Sequence, residues 1–213
     1  MPARVIRKKL YVIRVPPGLP EEKVYEKISS SIRAPFAEIS VRGDKAFIEI
    51  VGTEAEIKDS WYKVKNVIQD LWELYRLERN HEALIESIVK ESGRTFPPDA
   101  LVFALKLRGY DARLSEDKQR LYTNAPASTV IEIARQIAEI IDEIRFRVKG
   151  TAAKRMIAAL AAGLLVDAEK VIEYGLKTRV LEESEDGIRL REEWRRGLRK
   201  IAVMLKGAEL GSE

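Results

Sequence analysis

The sequence predicts a helix-rich α+β fold, and three observations predict it. Residues 4–51 hold three β-rich runs interrupted by one amphipathic helical stretch, and a long helical pattern follows. Beyond residue 80, apolar residues recur at helical spacing and are punctuated by Gly93, Pro97-Pro98-Asp99, Gly163 and Asp167. Hydrophobic residues make up 46% of the 213 positions, enough to bury a core. The longest uncharged apolar run, residues 156–166, falls well short of the roughly 20 residues of a membrane-spanning helix. It is expected as a buried helix.

The first domain, 1–79, is expected as βαββα. Residues 4–15 are β-rich and stop at Pro16-Pro17-Gly18. Val24, Ile28 and Ile32 share one face of a helix over residues 21–33. Residues 37–41 and 46–51 are short strands joined by Arg42-Gly43-Asp44-Lys45, a hairpin turn in which Gly and Asp tolerate positive φ. Thr53 and Glu56 form a capping box, which satisfies backbone amides left unpaired at a helix start. The helix that follows carries Ile57, Trp61, Val64, Ile68, Leu71 and Tyr75 in steps of four and three, which puts them on one seam facing the sheet.

The second and third domains, 80–149 and 150–213, are expected to share an order of elements. In the first of them a helix near His81 ends at Gly93, a helix restarts at Pro97-Pro98, and a hairpin over residues 110–123 leads to an amphipathic helix over 128–146. In the other, a helix stops at Gly163, Asp167 caps a second, strands around residues 180–181 and 188–190 bracket an acidic turn, and a helix closes the segment. Asp99-Ala100 and Asp167-Ala168 mark equivalent places in this reading. Each half resembles a winged helix, a fold that reads DNA with its second helix or serves in protein interaction. The turn Glu182-Glu183-Ser184-Glu185-Asp186 would repel phosphate and favours the second use.

Cysteine is absent, which excludes disulfides, thiol nucleophiles and thiolate metal sites, and points to the cytoplasm. Residues 1–10 lack the apolar stretch of a secretory signal. Charged residues reach 34% while Asn and Gln number three each, a balance expected of a thermophile. The net charge is only +4, but it is unevenly distributed. Arg4, Arg7, Lys8, Lys9 and Arg14 form one block without acids; Arg145, Arg147, Lys149, Lys154 and Arg155 form another. A third, over residues 187–206, sets seven basic residues against two acids. Such clustering is the footprint of proteins that contact phosphate backbones.

Catalytic motifs are missing. His81 is the one histidine, which leaves no two-histidine metal motif, and no nucleophile elbow, phosphate loop or dinucleotide fingerprint occurs. An enzyme would need a site of scattered carboxylates, so a non-enzymatic protein is the expectation, with no cofactor and no membrane partner.

The run Ala46-Phe47-Ile48-Glu49-Ile50-Val51-Gly52-Thr53-Glu54 with its following helix resembles the back half of a KH domain, or more broadly a ferredoxin-like βαββα unit. The likeness implies nucleic-acid binding, although no GXXG loop lies in residues 1–80. Over nearly its whole length the chain also resembles an uncharacterised archaeal family. The segments Pro97-Pro98-Asp99-Ala100-Leu101, Leu107-Arg108-Gly109-Tyr110 and Leu121-Tyr122-Thr123-Asn124-Ala125-Pro126 carry that likeness, with Ala152-Ala153-Lys154-Arg155 and Val171-Ile172-Glu173-Tyr174-Gly175-Leu176. It implies an archaeal source and assigns no site. The functional expectation is an RNA-binding or ribosome-associated protein that contacts phosphate through the two acid-free blocks. The alternatives are a protein-interaction or DNA-associated regulator, acting through a protein partner or as a homodimer, and an enzyme with scattered carboxylates.

Overall fold

A computed structural model describes residues 5–210, with side chains to Gly207. It is α+β, with eight helices and three small antiparallel sheets among the described residues. The chain divides into two compact units, Met1–Arg76 and Leu77–Glu213.

The first unit contains β1 (Arg7–Arg14), α1 (Glu21–Ser31), β2 (Phe36–Arg42), β3 (Lys45–Gly52) and most of α2 (Glu54–Asn80), in the expected βαββα order. The central strand is β3, antiparallel to β1 on one side and to β2 on the other. Side chains alternate across a strand, so Ala46, Ile48 and Ile50 point one way. All three are fully buried, against Val24 and Ile28 of α1 and Ile57, Val64, Ile68 and Leu71 of α2. Trp61 completes the seam half-buried, its indole stacked on Tyr11 of β1 with ring centroids 4.1 Å apart. The capping box forms as expected. The backbone N–H of Thr53 donates to Glu56 Oε2 at 2.7 Å, and that of Glu56 donates to Thr53 Oγ1 at 3.4 Å. Both helices lie on one face of the sheet.

The second unit runs β4 (Glu82–Leu84), α3 (Ile85–Ser92), α4 (Pro98–Leu107), β5 (Ala112–Leu114), β6 (Arg120–Thr123), α5 (Ala127–Glu143), α6 (Thr151–Leu164), α7 (Ala168–Lys177), β7 (Leu181–Ser184), β8 (Gly187–Leu190) and α8 (Trp194–Leu210). Its helices and strands contribute to a single cluster of buried side chains. The expected order of helix, helix, hairpin, helix occurs twice. In each half a short stretch ahead of the first helix also pairs with the second hairpin strand. Here β4 joins β6 antiparallel, while Val148 bridges Ile188 of β8 in the parallel sense. The ends of α4 and α7 close alike: Gly109 and Arg179 both adopt positive φ, and the N–H groups of Tyr110 and Val180 donate to the carbonyls of Leu105 and Gly175. This alignment pairs Pro97 with Asp167 as N-caps. Asp99 instead sits inside α4, two residues from the place the Asp-Ala match assigns it.

Two local expectations are corrected. His81 does not open a helix; it ends α2 in a left-handed conformation (φ 60°), and its carbonyl accepts the N–H of Thr123 as β4 begins. Gly163 does not stop α6. It is buried within the helix, where a Cβ would lie 2.8 Å from Leu107 Cβ and 3.0 Å from Ala104 Cα of α4, so glycine is needed for close helix approach. Leu165, with φ 58°, makes the turn instead.

Candidate nucleic-acid interface

The face of the first sheet opposite α1 and α2 carries the residues that alternate with the buried ones. Registered pairs on an antiparallel ladder share a face, so this surface can be read in rows. The row nearest the β2–β3 turn is Arg14, Lys45 and Arg42, directly opposite one another on three strands. The next row is Val12, Phe47 and Ser40, then Leu10, Glu49 and Glu38, and last Lys8, Val51 and Phe36. Phe36 is 72% exposed, Leu10 62% and Val12 53%. Strands lie about 4.8 Å apart, which brings the three cations of the first row within roughly 10 Å. Like charges directly opposite destabilise a sheet. Among the described residues none of these three has a carboxylate partner. The row thus concentrates positive charge next to an aromatic and apolar strip.

Strand alternation splits the amino-terminal block of cations. Lys8 and Arg14 lie on this face, and Lys8 pairs with Glu49 at 2.7 Å. Arg7 and Lys9 lie on the helix side, where Arg7 reaches Glu54 at 3.5 Å. A hydrogen bond from Lys58, then the charges of Lys58 and Arg7, hold the Glu54 carboxyl below its ordinary range. Arg4 falls outside the described residues.

The other block lies in the second unit and is also dispersed. Arg145, Arg147 and Lys149 occupy the loop between α5 and α6, and Lys154 and Arg155 belong to α6. Arg147 forms an ion pair with Glu169 of α7. Arg155 binds Asp99 of α4 at 2.9 Å, lies 5.7 Å from the Trp194 ring centroid, and has a buried Nε without a partner. Its place is structural. Arg145, Lys149 and Lys154 have no carboxylate partner among the described residues. Arg145 lies 5.5 Å from the ring centroid of Phe146, which is 81% exposed.

Reading contiguous charge missed Arg42, Lys45, Phe36, Phe47 and Phe146. The first two look like ordinary turn flanks in the sequence. The alternation Lys45, Phe47, Glu49, Val51 against buried Ala46, Ile48 and Ile50 was the signal that could have found the face. Among the described residues no group of three or more His, Asp or Glu side chains is placed to hold a metal.

Residues 13–199 match the model of a family described as an uncharacterized protein conserved in archaea (DUF2067). The chain belongs to this family. The match spans both units of this DUF2067 member and all of the open sheet face except the strand residues before Ile13. No curated protein and no solved structure matches it. Among the described residues no helix of the DUF2067 chain is long and apolar enough to cross a membrane.

Proposed function

We propose that this protein binds RNA, as a free or ribosome-associated factor, by laying single-stranded backbone across the open face of its first sheet. The observation that carries the reading is the unpaired row Arg14, Lys45 and Arg42 beside Phe47, with Phe36 at the far end of the same face. Lysine and arginine neutralise phosphate without reading sequence, and release of counterions makes that binding fall with salt. Rings on a sheet can stack bases, the use made of such surfaces in sheet-based RNA modules; here Phe36 is exposed and Phe47 half-buried. The KH-like order of elements agrees with this use, while the clamp loop of that family is absent. Arg145, Phe146, Lys149 and Lys154 offer a second set of contacts.

The test is fluorescence anisotropy with a single-stranded RNA of mixed sequence over a series of salt concentrations. Replacing Arg14, Arg42 and Lys45 together with Ala should weaken binding and flatten the plot of log affinity against log salt by about 2, at roughly 0.7 per phosphate contact. Phe47→Ala should cost about 1–3 kcal/mol of binding if a base stacks there. Unchanged affinity and slope in the triple variant would remove the reading.

A second reading is a protein-interaction module. The strand order β4-β6-β5, with β4 ahead of the helix pair α3 and α4, supports the resemblance to a winged helix. The exposed face of α7 carries Glu169 and Glu173 among its charges, and the β7–β8 turn is acidic, which suits protein better than DNA.

A further inference from the structure

On the second unit, two exposed surfaces are complementary in charge. The first is a groove of about 510 Å³, floored by Ile140, Ala161, Ala162 and Val166. Along its α5 wall Gln136, Glu139, Ile140 and Glu143 follow the i, i+3, i+4, i+7 spacing of one helix face, and Asp167 stands across from them. Among the described residues Glu139, Glu143 and Asp167 have no cationic partner, and Glu169 is met by Arg147. Leu165 lines the same groove at 71% exposure in a left-handed conformation. Glycine would take that backbone more cheaply and expose no apolar side chain. Keeping leucine there is costly in a free surface and reasonable in a covered one.

The other surface is the outer side of α8. Its inner side is fixed by buried Leu198, Ile201 and Leu205. Outward, Arg196, Arg199, Lys200, Val203 and Lys206 repeat the same helical spacing over a similar length. Val203 is 71% exposed; Glu192 is shared by Arg196 at 3.5 Å and Lys200 at 3.6 Å, Glu193 accepts the backbone N–H of Arg196 at 3.0 Å, and Arg199 and Lys206 have no carboxylate partner among the described residues. Each surface thus has an exposed branched aliphatic side chain set in an excess of one charge, with opposite signs on the two.

We infer that the groove is filled by α8 of a second copy of this chain, with Val203 against Leu165 and Ile140, and Arg199 and its neighbours against Glu139, Glu143 and Asp167. Because groove and helix are different patches, a single contact is head to tail, and the pair keeps one groove and one helix free for further copies. The inference stands apart from RNA binding, whose principal contacts are on the other unit.

Sedimentation velocity on the full chain tests it. The wild-type chain should grow in mass with concentration at low salt and dissociate in about 1 M salt, where charges are screened beyond roughly 3 Å. Glu139→Lys with Glu143→Lys should give a monomer, and so should Arg196→Glu with Arg199→Glu, each with a native circular dichroism spectrum. Mixing the two variants should restore association, since each then meets an oppositely charged partner. A wild-type chain that stays monomeric at low salt would overturn the inference and leave the groove to a basic segment of another protein. Association that survives either reversal, or a mixture that stays monomeric, would equally overturn it.

Discussion

In the first unit a three-stranded sheet is covered by helices on one face only, and the opposite face keeps three aligned cations without counter-charge. In the second unit the small sheets supply their own partners. Arg120 lies 3.7 Å from Glu82 across β6 and β4, and Arg113 sits over the Tyr122 ring at 4.3 Å. On the β7–β8 hairpin Arg189 meets Asp186 at 2.7 Å and Arg191 meets Glu182 at 3.2 Å. The difference teaches where to look for a ligand. The hairpin charges of the second unit are answered by neighbours, whereas the like charges of the row meet no carboxylate among the described residues, so that row is the place to test for a ligand.

The comparison breaks most plainly on the sheet itself. Ile48→Ala empties a fully buried site and should lower stability by about 2–5 kcal/mol, whereas Phe36→Ala on the open face should stay within roughly 0.5 kcal/mol. Chemical denaturation of both variants decides; a comparable loss in each would mean that the face is packed.

A smaller effect sharpens the picture of the second unit as helix packed on helix. Gly163→Val should cost about 1–3 kcal/mol, because the added carbons collide with Ala104 and Leu107 and a side chain there can only displace α4 from α6. Thermal unfolding checks it. A variant as stable as the wild type would show the two helices to be loosely apposed.

The smallest effect concerns the helix side of the first sheet. Lys58, then Arg7, depresses the Glu54 titration, so the contribution of these ion pairs is present above the unfolded carboxylate range and is lost as pH falls through the folded value. Glu54 is fully exposed and the change should be slight. Carboxyl chemical shifts followed by NMR should place Glu54 below the other exposed glutamates, and Lys58→Met should return it toward them; an unmoved titration would remove Lys58 as the cause.

Much of the fold was legible because its signals are local. The capping box at Thr53 and Glu56, the seam from Ile57 to Leu71, and the hairpin through Gly43-Asp44 each depend on residues within a few positions, and all formed as expected. The order of elements repeated in the second unit could be read for the same reason, and so could the archaeal family. The sequence also determined that cations cluster near both Arg7 and Lys149. Only the tertiary structure decided what each cation does. A strand reverses side-chain direction at every residue, so neighbours Arg7 and Lys8 part to opposite faces. Cross-strand register brings Arg14, Lys45 and Arg42 into one row although as many as 31 positions separate them. Arg155 became a packing residue because Asp99 and Trp194 fold against it, and Gly163 became a contact point because α4 lies over it. Local periodicity selects an element and its buried face, but register and helix packing are long-range, and they determine which charges are answered within the chain and which are not.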